Sequence, residues 1–348
     1  MTVELSILDL APIARGQTAT DSLAASVLLA RQAERLGYKR VWYAEHHNMA
    51  SIASSATSVL IAHVAAHTDA IRLGAGGVML PNHAPLLIAE QFGTLAALHP
   101  GRIDLGLGRA PGSDQNTMFA LRRDPNSAMS FPDDVRELQG YLRGHSLIPG
   151  VDAVPGKGTN VPLYILGSSM FGAKLAAAFG LPYAFASHFS PGLLDQAVAA
   201  YRHEFQPSEA LERPYVIAGV NVLAADTMDE AQSQLTAIRR MRAISLYGRR
   251  PGVEPADITD EQADELLAAG LDAHVDEMLT FTATGAGTDV RAYLTAFAER
   301  VGADELITAH YAPEIAARLR SIELTAEAMG IAEAAHPERT RARPAPRR

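Results

Sequence analysis

The sequence predicts an α/β protein whose fold class is a (β/α)8 barrel, and three observations carry that expectation. Short runs rich in β-branched and aromatic residues alternate with longer alanine-rich segments of helical period, the pattern of parallel strands joined by helical crossovers. The strand-like runs number eight, and 348 residues accommodate a barrel of about 250 residues plus insertions. The rival architecture, an open doubly wound sheet, would place G-x-G-x-x-G between its first strand and helix. The nearest match, GLGRAPG at Gly106–Gly112, follows the fourth strand and misses the third glycine by one place.

In chain order the strands are expected at Val3–Leu8, Arg40–Ala44, Ile71–Leu80, Arg102–Leu107, Leu163–Leu166, Tyr183–Ala186, Tyr215–Ala224 and Glu305–Thr308. Helices fall between them, at Asp21–Leu36, Ser55–His67, Pro85–Leu98, Pro132–Arg143, Ser169–Phe179, Pro191–Phe205, Asp229–Leu246 and Asp289–Val301, with a last one over Glu314–Met329. Thr20-Asp21 opens the first helix and Gly37 closes it, while Gly180 and Gly302 close two others, as capping preferences require. Two stretches exceed ordinary connections and are expected as insertions: Arg109–Phe131 after the fourth strand, and Gly248–Gly287 near the seventh, which contains the acidic run EPADITDEQADE. Residues 1–331 are expected to form a single domain.

Composition narrows the function classes. Hydrophobic residues make up 48% and charged residues 20%, with no Cys, so a disordered chain and a disulfide scaffold are excluded. Without Cys there is no catalytic thiol and no thiolate-bound metal. The net charge of −9 argues against a nucleic-acid surface. That charge is uneven: the last thirteen residues hold five Arg against one Glu, with Pro337, Pro344 and Pro346 opposing a helix, so residues 332–348 read as a basic, solvated, disordered tail. Glu4 and Asp9 stand where a signal peptide would be basic and then apolar, and Ser51–Ala66 is too short to span a bilayer, so a cytoplasmic protein without membrane contact is expected.

In a barrel of this kind the chemistry sits where the strands end. Leu8 and Asp9 end the first strand and are candidate substrate contacts, as is His188 after the sixth. Glu45-His46-His47 ends the second. Because side chains alternate along a strand, one histidine can face the barrel axis as an acid or base while the other faces away; the competing reading is a hydrogen-bonded structural pair. No metal is expected, since barrel metal sites favour H-x-H spacing and H-H offers no carboxylate cluster to complete a set. Gly74, Gly76 and Gly77 within a strand suggest close approach of a flat ligand or an unusual peptide geometry, with a simple bulge as the alternative. Arg109 offers a permanently charged planar fork suited to phosphate, and Ser168 and Ser169 open a helix whose free N–H groups favour an anion, with Met170 beside them. Neighbouring barrel units would bring these groups into one phosphate cradle.

The succession AEHH, then IRLGAGGVMLPNHAPLLIAEQFGTLAALHPGRIDLGLGRAPG, then PLYILGSSMFGAKLAAAFGLPYAFASHF resembles the bacterial luciferase-like flavin-dependent monooxygenases, from Val3 to about Tyr311. It is closest to their non-luminescent group, some of whose members tailor secondary metabolites. The resemblance implies a barrel that takes reduced FMN, usually from a separate flavin reductase, and reacts it with O2 through a flavin C4a-hydroperoxide to oxygenate an organic substrate. Aldehyde oxidation, or hydroxylation or epoxidation of a larger apolar compound, are the reactions it allows. His46 matches the catalytic histidine, Gly76-Gly77 a non-proline cis peptide under the flavin ring, and Arg109, Ser168 and Ser169 the FMN-phosphate positions. The second insertion matches a mobile active-site loop, and homodimers are common in the family. Gly108, Ser168 and Ser187-His188 stand where luciferase carries its reactive cysteine, an acidic residue and a tryptophan. Two alternatives remain open: an F420-dependent oxidoreductase on the same barrel, and a non-catalytic flavin-binding subunit.

Overall fold

The computed structural model describes residues 3–110, 115–124, 126–248, 250 and 252–332, so the expected tail beyond residue 332 and residues 111–114 of the first insertion lie outside the described residues. The first half runs β1 (Glu4–Asp9), α1 (Ala19–Leu36), β2 (Arg40–Tyr43), α2 (Thr57–Ala65), β3 (Arg72–Met79), α3 (Pro85–Leu98), β4 (Ile103–Gly108), α4 (Gln115–Ala120) and α5 (Phe131–Arg143). Then come β5 (Leu163–Gly167), α6 (Met170–Phe179), β6 (Tyr183–Phe185), α7 (Leu194–Glu204), β7 (Val216–Ala224) and α8 (Met228–Tyr247). The last part holds α9 (Asp260–Leu266), α10 (Asp272–Met278), β8 (Thr282–Gly285), α11 (Gly287–Val301), β9 (Glu305–His310) and α12 (Ile315–Met329).

Eight parallel strands close a barrel in the order β1-β2-β3-β4-β5-β6-β7-β9, with β6 joined to β7 and β9 to β1. These are the eight strands expected from the sequence. The ninth, β8, corrects the reading of residues 248–287 as insertion throughout. Thr-Ala-Thr-Gly carries one apolar residue and no alternation, yet it pairs in parallel with the upper end of β7, Asn221–Ala224. The first helix also opens earlier than expected: Thr18 is its N-cap, accepting from the Asp21 N–H while the Asp21 carboxylate accepts from Thr18 N at 2.8 Å. Gly37, Gly180 and Gly302 end their helices in the left-handed conformation, at φ 83°, 60° and 65°.

Alternation along the strands builds two cores. Outward residues such as Ile7, Val41, Tyr43, Leu73 and Leu105 are buried beneath the ring of helices. Inward residues fill the lumen in layers. The middle layer is apolar and aromatic, with Leu8, Trp42, Tyr164, Ile217 and Ile307, and Trp42 meets Tyr164 edge to face at 4.9 Å.

The bottom layer is ionic. Arg40, at the start of β2, is 2% exposed, and its Nη1 donates to Asp104 Oδ2 at 2.8 Å and to Tyr164 Oη at 2.6 Å, while Nη2 donates to Glu305 Oε2 at 3.1 Å. Asp104 also receives Arg72 and Trp42 Nε1; Glu305 receives Ser6 Oγ and, at 2.8 Å, Tyr215 Oη. Burial works against the Arg40 charge, but Glu305 and Asp104 outweigh it and hold the guanidinium protonated. Removing one partner of such a buried set leaves a charge uncompensated. Glu305→Gln is therefore expected to cost about 3–5 kcal/mol of unfolding free energy, read from urea midpoints by circular dichroism, and a loss below about 1 kcal/mol would show that the network contributes little.

Candidate active site

The inward positions of β2 are Arg40, Trp42 and Ala44, since these face the ionic and aromatic layers. Extending the alternation past the strand end puts His46 over the lumen and Glu45 and His47 on the outside. The chain there is pinned by His46 N donating to Ser54 O at 3.0 Å and by Ser54 Oγ donating to Ala44 O. His46 Nδ1 is buried and makes no hydrogen bond. Burial first, then the neighbouring His47 and the charge on Arg242, push its pKa down, against Glu45, so the neutral ring is favoured.

The outward residues form a different cluster. Glu45 is 1% exposed, and its Oε1 accepts from His47 Nε2 and from His83 Nε2, each at 2.8 Å, while Oε2 accepts from Met79 N at 3.1 Å. Burial raises the Glu45 pKa, but these donors outweigh it and lower the net value. His47 thus follows the structural reading. Although the motif brings no carboxylate cluster, its single carboxylate completes a possible donor set with a histidine from outside it: Glu45, His47 and His83 bring three ligand-type atoms within 4.8 Å of one another. They border a cavity of about 240 Å³ on the helix side of the strand, next to Thr57 and Gln91.

Glycines let other atoms pack directly against the backbone at the top of the lumen. The Gly76–Gly77 peptide is cis, and the β3–β4 register slips between Ala75 and Val78, so a bulge and an unusual peptide coexist at this place. A Cβ on Gly76 would lie 2.8 Å from Trp42 Cβ and one on Gly77 2.8 Å from Gly106 O, so both positions exclude any side chain. Gly106 and Gly108 follow in the inward register of Asp104; a Cβ on Gly106 would strike Leu166 at 2.6 Å, whereas one on Gly108 would meet nothing nearer than Val78 O at 3.8 Å.

Arg109 and the start of α6 meet as expected. The guanidinium lies 4.1 Å over the ring of Phe171, in the first turn of α6, and Gly108 pairs with Leu166 across β4 and β5. Ser169 is the N-cap by backbone but its side chain makes no capping bond, so its hydroxyl and the first N–H groups remain for a ligand. Ser168, Ser169 and Met170 are half-buried. Together with Arg109 they can hold a dianionic phosphate.

Leu8 and His188 reach the lumen; Asp9 does not. Leu8 belongs to the aromatic layer. His188 is buried, its Nδ1 unpartnered and beside Gly219. Asp9 points outward: it accepts from Ser26 Oγ at 2.6 Å and Ala11 N at 2.8 Å, with Arg318 at 3.9 Å. It fastens β1 to α1 and α12, which corrects its expected place among substrate contacts; odd-numbered β1 positions face out. Sequence reasoning missed Arg242 and Tyr311, the guanidinium of the first lying 4.6 Å over the ring of the second above the strand ends. The signal available was Ile238, Arg242 and Leu246 at helical spacing, an arginine inside an apolar stripe.

Comparison with known proteins agrees in scale with the whole barrel. The family model described as luciferase-like monooxygenase matches residues 3–305. A protein of Escherichia coli (strain K12) named luciferase-like monooxygenase is 46% identical over 93% of this chain and 96% of its own length. The N-acetyl-S-alkylcysteine monooxygenase of Bacillus subtilis (strain 168) is 36% identical over 80% of this chain and 88% of its own. Among solved structures, apo-MsnO8 superposes with a TM-score of 0.82 at 36% identity, covering 94% of this chain and 99% of that one. No helix among the described residues is long and apolar enough to cross a membrane.

Two buried imidazoles give the site region a pH signature. Burial first, then Arg242 and His46, hold His188 down to about 3; burial and Arg318 hold His310, bonded to Ser321 and Thr308, to about 3 as well. An unfolded histidine titrates near pH 6.5, so the unfolded chain takes up these protons first and stability falls as pH drops from about 6.5 towards 3. Each ring contributes a slope of about 1.4 kcal/mol per pH unit in that window. Unfolding free energies measured between pH 7 and 5 are expected to fall less steeply for His310→Asn than for the wild type, and an unchanged slope would disprove the assignment.

Proposed function

Because the chain belongs to the luciferase-like monooxygenase family, we propose that it is an FMN-dependent monooxygenase that takes reduced FMN from a separate reductase and uses O2 to place one oxygen atom in a small organic substrate with an apolar body. The oxidation of an aldehyde, or the hydroxylation or epoxidation of a larger compound, fits the apolar surroundings of the strand ends. The observation that carries this reading is the buried, unpartnered Nδ1 of His46 at the inward end of β2, next to the β3 backbone at Gly76 and Gly77, which admits no side chain.

The residues present fit a flavin mononucleotide. Arg109 and the α6 N-terminus, with Ser168, Ser169 and Met170, would hold the phosphate, and the open backbone at Gly76 and Gly77 would lie against the flat ring. Reduced flavin supplies two electrons to O2, one oxygen going to the substrate and the other leaving as water. His46 holds or delivers a proton at Nδ1, which its neutral state near pH 7 permits. Leu8, Trp42 and Tyr164 close the lumen below the site and exclude water from it. The single phosphate group matched by one arginine and seryl hydroxyls favours FMN over a longer acidic cofactor such as F420.

Titration of both reduced cofactors by fluorescence quenching is the direct test, and tighter binding of F420 would reverse the choice. Arg109→Ala is expected to weaken FMN binding about tenfold, equivalent to about 1.4 kcal/mol. His46→Ala is expected to keep FMN affinity within a few-fold and to lose about 10²-fold or more in product formation with supplied reduced FMN. Full oxygenation by that variant would sink the role given to His46. N-acetyl-S-alkylcysteine thioethers are the first substrates to assay, after the name of the Bacillus relative.

A further inference from the structure

Ile238, Arg242 and Leu246 follow one another at intervals of four along α8 and so share one face. Ile238 and Leu246 belong to the apolar cluster above the strand ends, with Leu10, Leu223 and Tyr311. Arg242 stands between them with its guanidinium 4.6 Å over the Tyr311 ring. Its Nε and Nη2 are buried and make no hydrogen bond. The other arginines of the helix behave differently: Arg239 pairs with Asp276, and Arg240 with Asp264 at 2.7 Å and Asp260 at 3.3 Å. Carboxylates are thus close at hand on α9 and α10, and Arg242 is turned away from them.

A guanidinium cannot escape burial by losing its proton. The Tyr311 ring offers it a π face but no acceptor for its N–H groups. His46 and His188, the titratable groups its charge reaches, are imidazoles and supply no anion in either protonation state. The FMN phosphate is assigned to Arg109 and α6, beside β4 and β5, whereas Tyr311 follows β9, across the barrel mouth. What completes this arrangement is an anion that arrives with an apolar body, since a planar charged fork set among leucines matches a carboxylate joined to hydrocarbon.

We propose that Arg242 is the anion-binding residue of the substrate site and that the substrate carries a carboxylate on an apolar body. The inference rests on the oxygenase reading only in taking the lumen mouth as the substrate site. It is tested by the binding of octanoate and octanamide to the FMN-loaded protein, measured by calorimetry for the wild type, Arg242→Met and Arg242→Lys. Octanoate is expected to bind at least tenfold more tightly than octanamide. Arg242→Met should remove that difference, leaving octanamide and FMN affinities unchanged and melting no lower than the wild type; Arg242→Lys should keep part of it. Equal binding of acid and amide, binding of neither, or a preference surviving in Arg242→Met would overturn the proposal. So would a methionine variant that melts several degrees lower and loses both ligands alike, which marks a scaffold residue, or one that loses reduced-FMN affinity instead, which assigns the anion to the flavin. FMN binding by the wild type judges the oxygenase reading separately: a protein that binds FMN without preferring octanoate refutes the anion subsite alone.

Discussion

The buried guanidinium of Arg40 is the constraint around which the barrel is arranged. It is a charge that cannot be neutralised by deprotonation, placed at the foot of the lumen, and it requires acceptors from other strands. Asp104 of β4 and Glu305 of β9 supply them, and each of those carboxylates in turn receives donors from β1, β3 or the residue before β7. A strand shifted by one residue would turn its contribution out of the lumen and leave a charge stranded. The ionic layer therefore specifies register where apolar packing alone would tolerate alternatives.

At the glycines of β3 and β4 neighbouring groups pack straight onto the backbone, Trp42 and Leu8 at Gly76 and Leu166 at Gly106. His46, the proposed acid–base residue, sits one alternation step beyond Ala44, on the same inward register as Arg40 and Trp42. The scaffold and the chemistry share a single strand. The other register of that strand carries Glu45 and His47, whose carboxylate and imidazole are engaged with His83 and hold β2 to the turn after β3.

Much of this was legible in the sequence because it is written in alternation and in glycine placement. All eight barrel strands, and the facing of one histidine of the pair inward and the other outward, follow from period-two reasoning applied to short runs; the nearness of Arg109 to the start of α6 follows from the adjacency of barrel units, and the choice of His46 came from the family resemblance. What was not legible has common physical causes. β8 is too short and too polar to show a pattern, and its existence depends on the free upper edge of β7. Asp9 looked like a site residue because it ends a strand, but the parity of its position sends it to Ser26 and Arg318. His83 reaches Glu45 only through the turn after β3, and Arg242 reaches the barrel mouth only through the packing of α8 on Tyr311. Contacts made between elements distant in sequence leave no local trace.

The segment over the barrel mouth is fastened by ion pairs of another kind. Arg239 and Arg240 grip α9 and α10, and Arg15 reaches Asp260 at 3.2 Å from the loop after β1, with side chains 30–58% exposed. Exposed pairs of this sort weaken as ions accumulate around them, while a buried set such as that of Arg40 is hardly screened. One molecule therefore carries two electrostatic systems with different sensitivities. Raising the ionic strength thus weakens the ties of α9 and α10 to α8 and to the loop after β1 while the ionic layer at the foot of the barrel stays in place.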